Sequence, residues 1–132
     1  MTNVITFGTF DLFHYGHLRI LERAKILGDR LIVGVSSDEL NYRKKNRYPL
    51  ISEEYRCHII NSLKCVDEVF LEKSLELKRD YIRQYRANIL VMGDDWKGKF
   101  DHLKCICDVI YLPRTVNIST SCLIEQIRRN SK

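Results

Sequence analysis

The chain has 132 residues, with 22 Lys and Arg against 17 Asp and Glu, a formal charge of +5 at pH 7. Hydrophobic residues make up 45% and charged ones 30%, with only 6 Gly and 2 Pro, a balance that excludes a disordered or low-complexity chain. A chain this long buries roughly two-thirds of its unfolded surface as one domain and leaves no room for a second core. The expected organisation is a single domain over residues 1–132.

No apolar run approaches the ~18 residues of a spanning helix; Ile89-Leu90-Val91-Met92 is typical of the longest. The opening MTNVITFGTFD has neither a basic start nor a cleavage site, so no signal peptide or membrane insertion is expected and the location is read as cytoplasmic. Val4 to Phe7 reads as a first strand, broken by Gly8. Leu18, Ile20, Leu21, Ala24 and Leu27 recur at helical spacing, and Gly28-Asp29 ends that helix. Leu31 to Val35 is a second strand. Residues 41–49 read as a polar, basic loop closing at Pro49. Ser52 is the expected N-cap of a helix with Glu53 and Glu54 in its first turn and Tyr55, Ile59, Leu63 and Val66 on one face. A strand at Val69 to Leu71, a helix from about Leu75 to Tyr85, and strands at Ile89 to Met92 and Val109 to Leu112 follow. Ser119 or Thr120 opens a last helix carrying Leu123, Ile124 and Ile127.

Five strands alternating with helices predict an α/β, Rossmann-like fold: a parallel five-stranded sheet with helices on both faces. Ligands of such sheets sit beyond the carboxyl ends of the strands. Those ends carry the most polar segments of the chain: Gly8-Thr9-Phe10-Asp11, Ser36-Ser37-Asp38, Gly93-Asp94-Asp95 and Pro113-Arg114-Thr115. The net positive charge fits a phosphate-rich partner without saying which.

Within Thr9-Phe10-Asp11-Leu12-Phe13-His14-Tyr15-Gly16-His17, two histidines flank a glycine where the first strand hands over to the first helix. A helix start presents unpaired N–H groups and the positive end of its dipole to an anion. His14 and His17 can donate to phosphate oxygens, and Gly16 lets backbone come close to a ligand. Without the strand-end setting, the same residues would read as capping or zinc-binding histidines.

The segment GTFDLFHYGHLRILERAKILGD resembles the HxGH signature of the small α/β nucleotidyltransferases, in its cytidylyltransferase form. Met92-Gly-Asp-Asp-Trp-Lys-Gly-Lys-Phe-Asp101 and Pro113-Arg-Thr-Val-Asn-Ile-Ser-Thr-Ser121 agree at the right distances, and the former resembles the glycerol-phosphate branch of that family. The resemblance runs nearly end to end. It implies transfer of CMP from CTP to glycerol 3-phosphate, Mg²⁺ carried on the triphosphate near Asp11, and a homodimer. It places His14, His17, Lys44 and Arg114 in catalysis. Thr9, Phe10, Gly16, Gly93, Asp94, Trp96, Thr115, Ile118, Ser119 and Thr120 would bind the nucleotide. Asp11 and Asp38 would serve the acceptor, and Arg56, Lys64 and Asp67 would lie near the acceptor end or the subunit contact.

The chain departs from that family in places. Val116-Asn117 replaces an acid and a glycine, Lys64 stands where an arginine is expected, and the basic loop is one residue longer, which leaves Lys44 and Lys45 as alternatives. The chemistry is coherent on the residues alone. Nucleotidyl transfer needs cations and hydrogen-bond donors around an α-phosphate and in-line alignment of attacking and departing oxygens. A phosphate monoester is already anionic and needs no strong base.

Other readings stay open at this level. The acceptor could be ribitol 5-phosphate or phosphoethanolamine, the reaction an adenylyl transfer onto FMN, or the chain a small basic RNA-binding module. RNA binders interleave aromatics and basics on a sheet face, whereas the polar residues here gather at strand ends, and no nucleic-acid partner is expected. Gly93 to Lys99 has P-loop spacing, but Phe100 cannot supply the hydroxyl that binds magnesium. Cys57, Cys65, Cys105, Cys107 and Cys122 contain no CxxC and are expected as reduced thiols, four or five of them partly buried, rather than a metal site. His58 reads as a half-exposed helix residue, Tyr81, Tyr85 and Tyr111 as packing, and Arg128 and Arg129 as complements to a helix dipole.

Overall fold

The computed structural model describes residues 1–115 and 118–130; the Val116-Asn117 departure lies outside the described residues. Five strands, β1 (Asn3–Gly8), β2 (Arg30–Ser36), β3 (Glu68–Glu72), β4 (Ile89–Gly93) and β5 (Asp108–Leu112), form one sheet in the order β3-β2-β1-β4-β5. Every pairing is parallel, with Val4 opposite both Leu31 and Ile89. The helices are α1 (Tyr15–Ile26), α2 (Asp38–Lys45), α3 (Glu53–Asn61), α4 (Lys78–Gln84) and α5 (Thr120–Asn130).

Successive strand residues face opposite sides of a sheet, and β1 divides accordingly. Val4 joins Leu21 and Ala24 of α1 and Ile60 of α3 in one core. Ile5 joins Ile82 of α4 and Leu103 of a 3-10 segment in the other. The expected parallel sheet with helices on both faces is therefore the observed architecture. Among the described residues no helix is long and apolar enough to cross a membrane.

Three local expectations are corrected. Residues 38–45 form helix α2, not a loop. Ser37 Oγ accepts the Leu40 N–H at 3.0 Å, Asp38 and Glu39 occupy the first turn, and Arg43, Lys44 and Lys45 the last. These termini complement the dipole, but the segment lacks the apolar period that betrays a helix. Asn46 ends it in the left-handed region, φ 57°. In α3 the buried residues are Arg56 and Ile60, while Tyr55 is 67% exposed, so the buried face is one residue round from the expected stripe. Ser52 takes the N-cap position without a side-chain cap bond. The cysteines are all free, but only Cys57, Cys65 and Cys107 are covered; Cys105 and Cys122 are exposed.

Candidate active site

The turn between β1 and α1 is strained and tightly bonded. Phe10 (φ 56°) and Leu12 (φ 50°) sit in the left-handed region, which costs a non-glycine residue of order 1 kcal/mol and recurs at functional turns. Phe10 folds its ring back over Gly8, where a Cβ would meet it at 2.8 Å. His14 is the N-cap of α1: its Nδ1 accepts the Gly16 N–H at 3.0 Å, and His17 Nδ1 accepts the His14 N–H at 3.2 Å. With both Nδ1 atoms accepting, the neutral rings carry their protons on Nε2.

The two imidazoles stack with centroids 3.8 Å apart and planes 20° apart. A Cβ on Gly16 would lie 2.9 Å from His14 Cε1, so this glycine makes room for the ring. Burial, with His14 close by, lowers the His17 pKa to about 3. Burial and then Arg114 lower that of His14. Both rings are thus held as neutral hydrogen-bond donors.

They border a cleft of about 600 Å³ at the carboxyl ends of the strands. Thr9, Phe10 and Asp11 line it from the end of β1, and Gly93 and Trp96 from beyond β4. Arg114, Thr115, Ile118, Ser119 and Thr120 line it from the segment entering α5, and Lys44 from α2. Thr120 Oγ1 donates to the Asp11 carbonyl at 2.7 Å, joining the start of α5 to the histidine turn. Burial lowers the Lys44 pKa to about 8, Glu72 opposing and Lys78, Lys45 and Arg56 assisting. Lys44 is half-buried whereas Lys45 is exposed, although both border the cleft. Asp11 turns away from a free-acid role: its two carboxylate oxygens accept the Leu50 and Ile51 N–H groups, both at 2.9 Å, and hold the loop that follows α2.

Five expected site residues are placed elsewhere. Asp94 is exposed outside the cleft, and its neighbour Asp95 lines it instead, 3.4 Å from Arg114. Arg56 is 1% exposed and spends its fork internally. Nε donates to Ile51 O at 2.9 Å, Nη1 to Thr9 O and Ser36 O at 2.8 Å each, and Nη2 to Asp38 Oδ1 at 2.6 Å. Arg56 and Asp38 therefore brace the strand ends from beneath. Asp67 precedes β3, at the opposite end of the sheet, where its carboxylate accepts from Lys25 Nζ at 2.6 Å and the Leu31 N–H at 2.7 Å. Lys64, exposed in the same α3–β3 connection, is as far from the strand carboxyl ends.

Four residues escape the sequence reading. Lys78 of α4 is 4% exposed, pairs with Glu72 at the end of β3, and lies 4.2 Å from the centroid of the Phe7 ring. Burial lowers its pKa and Glu72 offsets that. Asn41, 1% exposed, accepts the Thr9 hydroxyl at 2.7 Å. Glu72 and Lys78 both line the cleft, as does Arg128 of α5. Nothing in local sequence marks a lysine that will be buried: the signal is tertiary. Among the described residues no group of three or more His, Cys, Asp or Glu is placed to hold a metal.

A cytidylyltransferase-like family model matches residues 5–126. The glycerol-3-phosphate cytidylyltransferase of Bacillus subtilis is 50% identical over 127 residues, covering 96% of this chain and 98% of the relative. That of Staphylococcus aureus is 43% identical over 127 residues, 96% of each. The crystal structure of a lipopolysaccharide core biosynthesis protein from Thermoplasma volcanium superposes with a TM-score of 0.76 at 27% identity, over 87% of this chain and 98% of that one. Because the match begins in β1, ends in α5 and so takes in every wall of the cleft, the chain belongs to the cytidylyltransferase-like family.

Proposed function

We propose that the protein transfers CMP from CTP to glycerol 3-phosphate, releasing CDP-glycerol and pyrophosphate. The observation that carries this reading is the stacked histidine pair, which aims two fixed Nε2–H donors at a cleft lined by Lys44, Lys78 and Arg114. The names of the Bacillus subtilis and Staphylococcus aureus relatives support the nucleotide and the acceptor. An oxygen of the acceptor phosphate attacks the α-phosphorus, and the bond to the bridging oxygen of pyrophosphate breaks. The attacking group is already an anion, so no base takes a proton.

His14 and His17 donate to phosphate oxygens whose charge redistributes in the transition state. Their neutrality keeps them from repelling each other at 3.8 Å. Arg114 grips two oxygens with its fork, and Ser119 and Thr120 bring the positive end of the α5 dipole to the cleft. Gly93 and Trp96 border the nucleoside end. Lys44 and Lys78 lie on the acceptor side, between the ends of β1, β2 and β3.

Magnesium would arrive as a passenger on the triphosphate, since the Asp11 oxygens already accept two N–H groups and, among the described residues, no group of three or more His, Cys, Asp or Glu is placed to hold a metal. When bound it neutralises phosphate charge, and the chain's residues orient the rest. The protein acts as a cytoplasmic homodimer, and its product feeds a glycerol-phosphate polymer such as a teichoic acid or capsule. Incubation with each nucleoside triphosphate and a panel of phosphorylated alcohols, with products identified by mass spectrometry, tests the reaction. CDP-glycerol from CTP is expected; a faster reaction with ATP and FMN, or with no alcohol phosphate at all, refutes it.

A further inference from the structure

Between β4 and β5 the chain forms no α-helix. It makes two 3-10 turns, Asp94–Trp96 and Asp101–Cys105, with Gly98 between them at φ 83°. Their backbone bonds are local. The Lys97 N–H donates to Asp94 O at 3.0 Å, that of Lys99 to Trp96 O at 2.9 Å, and that of Leu103 to Phe100 O at 2.9 Å. Such a segment has little of its own to hold it still, yet it carries Trp96 and Phe100, which line the cleft. A side chain of the edge strand supplies a tie. The Phe100 N–H donates to Tyr111 Oη at 3.0 Å, and that oxygen lies 2.9 Å from Asp101 Oδ1. An ionised carboxylate only accepts, so the Tyr111 hydroxyl gives its proton to Asp101 and turns a lone pair to the Phe100 N–H. Both bonds converge on one atom of β5, the strand beside the one that the segment leaves.

Phe100 passes this order on. It is buried, and its ring centroid lies 5.5 Å from that of Trp96 and 5.3 Å from Lys78 Nζ. Lys78 has anchors besides Phe100, in Glu72 and in the Phe7 ring at 4.2 Å. Trp96 is only half-buried and leans on Phe100. We propose that Tyr111, which lies outside the cleft, is a positioning residue for the nucleotide: its hydroxyl, oriented by Asp101, fixes Phe100 and through it the face that Trp96 turns to the nucleoside. This rests on the proposed CMP transfer and deepens it, since it adds a support behind the nucleoside end of the cleft. A displacement of a fraction of an ångström in such a wall is enough to weaken binding. Burial raises the Tyr111 pKa, with the Phe100 N–H opposing and Asp101 adding to the rise, so at neutral pH the hydroxyl keeps the proton that the arrangement requires.

The test takes Tyr111→Phe, Asp101→Ala and Asp101→Asn in the full chain. It measures KM for CTP and for glycerol 3-phosphate, and the emission of Trp96, the one tryptophan of the sequence. In the wild type CTP is expected to change that emission. Tyr111→Phe keeps the ring and should raise KM for CTP about tenfold, with kcat and KM for glycerol 3-phosphate moving less than about twofold. Its Trp96 should be quenched more readily by acrylamide. Asp101→Ala should move in the same direction, whereas Asp101→Asn, whose amide oxygen still accepts from the hydroxyl, should match the wild type. A lowered Tm with wild-type KM for CTP would leave Tyr111 a purely structural role and overturn the proposal. Equal rises in KM for both substrates, or an Asp101→Asn as impaired as Asp101→Ala, would also overturn it. A wild type that transfers CMP while Trp96 emission ignores CTP overturns the positioning role and leaves the reaction standing. A wild type that transfers no CMP overturns the reaction and this inference with it.

Discussion

Replacing Arg56 with Met separates bracing from substrate binding. The side chain is fully buried and its partner Asp38 about one-third exposed. Methionine follows the aliphatic stem closely enough that little cavity opens, so the cost is polar. Four hydrogen bonds go, to Ile51 O, Thr9 O, Ser36 O and Asp38 Oδ1. Bonds to a charged group contribute about 1.5–3 kcal/mol each, and an orphaned buried acceptor costs about 1–3 kcal/mol. Those terms do not add fully. Ser36 O keeps a bond from Asn41, and Asp38 can regain water. The measured range for breaking one side of a buried pair, about 3–5 kcal/mol, is the better guide. That is a large part of the about 5–15 kcal/mol that holds a domain together, and at about 3–5 °C per kcal/mol for this length it lowers Tm by about 10–20 °C. Thermal and urea melts read it directly. Arg56→Lys should fall between, since a point charge can keep Asp38 but not the fork. If Arg56→Met loses under about 1 kcal/mol while the KM for the acceptor rises tenfold or more, Arg56 contacts substrate and the bracing account is wrong.

Removing either histidine, as His14→Ala or His17→Ala, should cut kcat by about 10²-fold or more with the melting curve largely kept; a folded double variant at near-normal rate excludes the proposed roles. His17, with a folded pKa of about 3 against 6.5 unfolded, stays neutral while the unfolded chain takes up a proton. Stability should therefore fall as pH drops from 6.5 towards 3, less steeply in His17→Gln, as pH-dependent urea melts can check. Lys44, held near 8, should lose its charge as pH rises through that value and take acceptor binding with it. Lys44→Arg, charged throughout, should carry activity to higher pH, and an unchanged alkaline limb would clear Lys44 of the effect. Over about 8 to 10.5 the unfolded chain holds a proton the folded one has shed, so this residue makes stability rise with pH across that window. Arg114→Lys should sharply lower kcat/KM for CTP, because lysine cannot bind two phosphate oxygens at once; wild-type constants would remove Arg114 from the phosphate site.

The strands and the histidine turn were legible because their signals are local: short apolar runs, a glycine, two imidazoles at a helix start. What stayed hidden depends on neighbours distant in sequence. DELNYRKK has no apolar stripe, so only its capping chemistry marks α2. Tyr55 and Ile59 look like a core face until Arg56 is seen to be claimed by two strand-end carbonyls, Thr9 O and Ser36 O, and by Ile51 O of the loop before α3. Asp67 and Lys64 adjoin a strand in the sequence, but at the amino end of the sheet, away from the cleft. Lys78 and Asn41 matter through Glu72 and Thr9, 6 and 32 residues away.

The strand order also bears on how the chain is made. β1 leaves the ribosome before the other four strands of its sheet, yet it ends in the middle of the sheet, paired to β2 on one side and β4 on the other. Once residue 72 has emerged, β3-β2-β1 can assemble with α1 and α3 over one face and bury Val4, Leu21, Leu31 and Ile60. At that stage Ile5, Phe7 and Ile32 still await α4 and β4, and the far side of β1 is an open apolar edge. Such edges recruit strands from other chains. Nascent chains stalled between residues 72 and 93 should be the aggregation-prone species of this protein.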